Sequence, residues 1–152
     1  MALMLTPPAP DEPYGRTLLT VSDTEEVLAM TWRAGATCAP HDHGQAGGSV
    51  SLIRGSLSET TYVFSREGLI PTTTRVVHAP AILEVAPGVI HAMTAHDEAL
   101  TIHRYTPRIA HMRVYDIGGR RTFIVKDDCG AWIPRDDADV VALEPWPIAG
   151  YP

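Results

Sequence analysis

Apolar and polar residues alternate along most of this chain with the period of two that belongs to strands, not the 3.6 of helices. Residues 57–64 (LSETTYVF), 73–78, 99–105 (ALTIHRY) and 121–126 (RTFIVK) are short and rich in β-branched and aromatic side chains. Gly, Pro and Asp separate them at the spacing of a sandwich or barrel. Residues 111–117 and 121–126 flank Gly118-Gly119, which reads as a hairpin turn because glycine accepts positive φ at little cost. Gly55, between 49–54 and the next strand, reads as another tight turn. Residues 22–30 admit two readings: a helix opened by a Ser22/Glu25 capping box, or a hairpin with strands at 16–21 and 26–33 and a turn at 22–25. The hairpin is favoured, since the run from Val27 to Trp32 leads straight into a glycine-containing turn. The ends, 1–13 and 136–152, have little periodicity and read as tails or wrapped extensions around a core of about 14–134. The expectation is one all-β domain over 1–152.

Length and composition narrow the class. With 152 residues and 45% apolar content the chain can bury a core without disulfide staples. A net charge of −6 argues against nucleic acid as a partner. No apolar run approaches a membrane span, and the opening stretch, broken by Pro7, Pro8 and Pro10, lacks the basic region of a signal peptide. Two cysteines, Cys38 and Cys129, make no disulfide framework. A cytoplasmic protein, monomeric or a small homo-oligomer, is expected.

The candidate chemistry lies in the histidines. His41-Asp42-His43 puts two imidazoles on one face of a strand and Asp42 on the other. His91 stands just after a Pro87-Gly88 turn, at the start of a later strand. Thr101, His103 and Tyr105 alternate along one strand, so hydroxyl, imidazole and phenol share a face and can pass hydrogen bonds along the row. His78, His96 and His111 read as surface residues, Cys38 as a packed residue and Cys129 as an inert turn residue. Trp32, Trp132 and Trp146 read as packing.

The spacing from Gly35 through His41 and His43 to Gly55, then Gly88 to His91, resembles the two cupin motifs. That resemblance implies a small antiparallel jelly-roll barrel holding a metal. Gly48 stands where the usual ligand glutamate would be, which leaves His41, His43 and His91 as three neutral ligands. Imidazole suits zinc, copper, iron and nickel alike, so the ligand type does not name the metal.

The wider set resembles the cysteine dioxygenase family of thiol dioxygenases. Its parts are Tyr14-Gly15-Arg16, His41-Asp42-His43, RGSLSET at 54–60, Gly88 to His91, and Thr101-x-His103-x-Tyr105-Thr106-Pro107. The family implies Fe(II), three histidine ligands, and O2-dependent conversion of a small thiol to a sulfinic acid. Carried over, His41, His43 and His91 are the iron ligands and Arg16 holds the substrate carboxylate. Tyr105 stands beside the iron, supported by His103 and Thr101, where a serine is usual. Gly48 occupies the position of the cysteine that some members cross-link to this tyrosine, and the N-terminal helical segment of relatives is short or absent here. L-Cysteine is the first substrate expected, with 3-mercaptopropionate or mercaptosuccinate as alternatives. A non-catalytic metal- or acid-binding cupin is the reading from another class, and a zinc isomerase or hydrolase is third.

Overall fold

The structure, a computed structural model, describes residues 2–147. It has twelve strands, which in chain order are β1 (Tyr14–Val21), β2 (Glu26–Trp32), β3 (His41–Asp42), β4 (Gly47–Arg54), β5 (Ser56–Ser65) and β6 (Gly68–His78), then β7 (Ala81–Val85), β8 (Ile90–Ala95), β9 (Ala99–Thr106), β10 (Arg113–Asp116), β11 (Arg121–Val125) and β12 (Val140–Pro145). Among the described residues the one helical element is a 3-10 turn at Asp137–Asp139. The all-β expectation holds.

All strand pairs are antiparallel. A five-stranded sheet runs β1-β2-β9-β4-β7, and a seven-stranded sheet runs β12-β11-β10-β3-β8-β5-β6. The two sheets pack face to face over one main apolar core that includes Leu28, Met30, Val50, Leu52, Leu57, Leu83, Val114 and Val125. The histidine-bearing strands β3 and β8 lie in the longer sheet, and β9, with Thr101, His103 and Tyr105, lies at the centre of the shorter one.

The ambiguous segment is a hairpin. Ser22 N–H donates to the Glu25 carbonyl at 2.8 Å, and Glu25 N–H donates to Ser22 Oγ at 3.1 Å. The same two residues that could cap a helix close the turn. Val27, Leu28, Ala29 and Met30 are all buried, so β2 reads as a continuous apolar run without strand alternation.

One expectation needs correction. In the β10–β11 turn neither glycine adopts positive φ; Arg120 does, at 52°. Asp116 organises the turn by accepting from Gly119 N–H at 3.0 Å and Arg121 Nε at 2.9 Å. Gly119 is there for room, since a Cβ would stand 2.3 Å from Asp116 Oδ2. From residue 136 onward, read above as a tail or a wrapped extension, the chain forms β12, which pairs with β11, and Trp146 is buried with its indole N–H donating to Thr122 Oγ1 at 2.7 Å. Residues 148–152 of that reading lie outside the described residues. At the other end, residues 2–13 run as an irregular strap on β1 and β2. Thr6 N–H reaches Thr17 Oγ1 at 2.8 Å, and Arg33 reaches the Ala9 carbonyl at 2.6 Å.

Candidate metal centre

β3 delivers His41, and His43 follows directly after it, while Asp42 turns away, accepting from Gly44 N–H at 2.8 Å and from the Tyr115 hydroxyl. On the neighbouring strand β8, His91 is the register partner of His41. The three rings converge, with centroids 4.6–5.2 Å apart, and one ligand atom from each lies within 4.8 Å of the others. All three side chains are buried.

Hydrogen bonding leaves ligand atoms free. His41 Nδ1 donates to the Ala39 carbonyl at 2.8 Å, and His91 Nδ1 bonds Glu59 Oε2 at 2.8 Å. Each arrangement puts the lone pair on Nε2. His91 Nε2 and His43 Nδ1 are buried with no partner, a costly state that a metal ion would relieve. Burial, reinforced by the neighbouring imidazoles, holds His41 and His43 well below the ordinary imidazole range, so both are neutral bases. The donor set therefore fits a divalent metal of the imidazole-binding kind.

Glu59, on β5, had no role assigned by sequence. It accepts from His91 through one oxygen and from Arg75 Nε at 2.9 Å through the other. An outer carboxylate of this kind orients a ligand ring and raises its basicity. Glu59→Gln, which keeps the shape but weakens that bond, is expected to lower metal affinity about 10- to 100-fold. Competition against a chelator of known affinity checks this; unchanged affinity would leave Glu59 a partner of Arg75 and His91 with no influence on the metal.

Opposite the histidines stands the row on β9. Thr101 Oγ1 and His103 Nε2 are 2.7 Å apart, and His103 Nδ1 and Tyr105 Oη 2.8 Å apart, all buried. The row begins at Trp32, whose indole N–H donates to Thr101 Oγ1 at 2.9 Å. An indole can only donate, so Thr101 Oγ1 accepts there and keeps its own O–H to donate. When Thr101 donates to His103 Nε2, His103 donates from Nδ1 to the phenol oxygen, and the Tyr105 O–H is left to point elsewhere. The Tyr105 ring lies 4.6 Å from that of His43, so the phenol packs beside the imidazole cluster. Burial raises Tyr105 well above the usual phenol range, with the nearby Glu26 charge among the smaller causes, so it stays a donor.

Burial also pushes His103 down to about 3. Below the ordinary imidazole value the unfolded chain binds protons that the folded chain refuses, so stability present above pH 6.5 is lost as pH falls from there toward 3. His41 and His43 act in the same direction. Metal-free protein is expected to lose about 1 kcal/mol per such histidine between pH 7.5 and 5.5. Urea midpoints at the two pH values test this, and equal midpoints would contradict it.

Arg16, His41, His43, His103 and Tyr105 line one cavity, with Thr101 behind His103. Arg16 is half-buried and holds its guanidinium by a 2.5 Å bond to the Asp128 carbonyl. His78, His96 and His111 are exposed, as read from the sequence. Cys38 is packed, its thiol pushed up to about 12 by burial. Cys129 is half-buried on the cavity wall rather than in a free turn, its thiol raised to about 11, chiefly by burial. Trp32 does more than pack. Glu26, unassigned by sequence, also lines the cavity.

Gly48 faces Tyr105 across the β4–β9 ladder. A Cβ there would stand 1.9 Å from the Arg104 carbonyl oxygen and 3.1 Å from Tyr105 Cδ1. The absence of a carboxylate ligand at this position thus goes with a close backbone approach that excludes any side chain.

Compared with known proteins, the chain matches the family model described as cysteine dioxygenase type I over residues 10–118. Its structural neighbours are cupins of low identity. A protein with a double-stranded β-helix domain from Klebsiella pneumoniae superposes with a TM-score of 0.60 at 15% identity, covering 71% of this chain and 83% of that one. An RmlC-like cupin from Shewanella frigidimarina gives 0.55 at 14%, covering 68% and 84%. KdgF from Halomonas sp. gives 0.55 at 14%, covering 66% and 85%. These likenesses establish the jelly-roll cupin fold. Among the described residues no helix is long and apolar enough to cross a membrane.

Proposed function

Because this chain belongs to the cysteine dioxygenase type I family, we propose that it is an Fe(II)-dependent thiol dioxygenase converting a small carboxylated thiol, L-cysteine first, to its sulfinic acid. The observation that carries this reading is the cluster of three buried histidines, two of which line one cavity together with Tyr105. His41, His43 and His91 would hold the metal, which when bound supplies the place where thiol sulfur and O2 meet and exchange electrons. Three neutral imidazoles would leave the charge of a divalent ion they hold uncompensated, which would favour an anionic sulfur there over the neutral thiol. Arg16 would bind the substrate carboxylate and fix which way the sulfur points. The Tyr105 O–H, with its oxygen 2.8 Å from His103 Nδ1, would donate to an oxygen of the reacting group.

The balance closes without a further reductant. Thiol plus O2 gives sulfinic acid, a four-electron oxidation of sulfur in which both oxygen atoms are retained.

The test is anaerobic loading with Fe(II), then oxygen uptake with L-cysteine and with 3-mercaptopropionate, identifying products by mass. One O2 consumed per sulfinate formed supports the reading; stoichiometric iron with no thiol-dependent uptake refutes it. Tyr105→Phe is expected to lower kcat about 100-fold with iron content unchanged, the scale for losing one donor aimed at developing charge. Loss of iron in that variant would make Tyr105 structural instead.

A further inference from the structure

The three histidines differ in what stands behind them. His41 Nδ1 meets a neutral carbonyl, that of Ala39, and His43 Nδ1 has no partner among the described residues. His91 backs onto a charge, with its Nδ1 2.8 Å from Glu59 Oε2. The opposite oxygen of Glu59 receives Arg75 twice, through Nε at 2.9 Å and Nη2 at 2.8 Å. Arg75 thus occupies Oε1 and leaves Oε2 to the histidine. A guanidinium forked across both oxygens, the commoner arrangement, would compete with His91 for its acceptor.

Tertiary structure puts this pair at a seam. β6 is one edge of the longer sheet and β7 one edge of the shorter. Arg75 on β6 and its register partner Glu59 on β5 line a groove between those edges, together with Glu84 and Val85 of β7. The Arg75 side chain is half-exposed there while that of Glu59 is buried. A chain of contacts therefore runs from solvent to the imidazole cluster, through guanidinium, carboxylate and imidazole in turn.

A carboxylate behind a ligand imidazole orients the ring and raises its basicity. A cation on the far oxygen draws away part of that negative charge, and it also opposes a second cation held by the ring. We propose that Arg75 is a positioning residue for the metal centre, acting through Glu59 to aim Oε2 at His91 and to restrain the negative charge that reaches it. This rests on the three-histidine metal reading above and not on which thiol is oxidised. A divalent ion at such a site stays short of donor charge, the condition under which an anionic sulfur is favoured beside it.

The test measures Zn(II) affinity by chelator competition at low ionic strength, where a half-exposed charge is least screened. Arg75→Gln is expected to bind zinc about 3- to 10-fold more tightly than wild type, opposite in sign to Glu59→Gln, whereas losing a merely structural contact would weaken binding. Arg75→Lys, which keeps the charge, is expected to stay within about 2-fold of wild type. In a Glu59→Gln background, Arg75→Gln should move the affinity by less than about 2-fold, because its route to His91 is gone. The visible bands of Co(II)-loaded protein should keep their positions in Arg75→Gln, as expected of an unchanged ligand set. Wild-type or weaker zinc affinity in folded Arg75→Gln overturns the proposal. So do an equal gain in Arg75→Lys, an equal gain without the Glu59 carboxylate, or altered Co(II) bands. A wild type that binds no divalent ion removes the proposal and the metal reading together. Arg75-dependent zinc affinity without thiol-dependent oxygen uptake in the Fe(II)-loaded protein leaves the proposal standing and removes the dioxygenase reading.

Discussion

His91→Ala is expected to abolish thiol-dependent oxygen uptake and to weaken metal binding by more than about 100-fold, beyond the range seen for loss of an outer-shell partner. The side chain is 1% exposed and contributes an Nε2 that no protein group satisfies. Removing it leaves the imidazoles of His41 and His43 and no third donor from β8. The substitution also takes away the Nδ1 partner of Glu59, a carboxylate that is 6% exposed. Metal-free stability should therefore fall as well, by about 1–3 kcal/mol, the usual cost of a buried acceptor left short of a donor. Two readouts separate the effects. Chelator competition reports the metal, and urea unfolding of metal-free protein reports the fold. Added imidazole, small enough to enter the space vacated, should recover part of the metal affinity. Wild-type affinity in a folded His91→Ala protein would remove His91 from the ligand set.

Gly48→Ala is expected to be the most damaging small substitution in the core. The obstacle is main chain: the new methyl would stand 1.9 Å from the Arg104 carbonyl oxygen and 2.9 Å from its carbon. A flexible side chain could swing aside, but this carbonyl belongs to the central strand β9, which pairs with both β2 and β4. The cost should reach or exceed the upper end of the roughly 1–3 kcal/mol typical of overpacking. Gly48→Glu, which would restore the usual cupin carboxylate, should for the same reason lose the fold rather than gain a ligand. Urea unfolding and metal titration of both variants check this. A stable Gly48→Glu protein that binds metal more tightly than wild type would show that the backbone yields, and that the three-histidine set is not imposed by packing.

Both substitutions mark the boundary between local pattern and tertiary arrangement. Features that depend only on a strand's period of two were legible in the sequence by itself. His41 and His43 share a face because they are two apart, and Thr101, His103 and Tyr105 form a row for the same reason. The β1–β2 hairpin, the turn at Gly55 and the all-β class came from the same alternation and its punctuation. Pairing between distant strands was not legible, because register is decided by which faces find a common core. Glu59 reaches His91 across 32 residues, Trp32 reaches Thr101 across 69, and Arg16 reaches the Asp128 carbonyl across 112. β12 went unread because its residues become a strand only against β11. The sequence determined which groups could act together along one strand. Only the packing of two sheets brought those groups around one cavity, directed the hydrogen bonds that end at Tyr105, and left a carboxylate at Glu26 facing the same space.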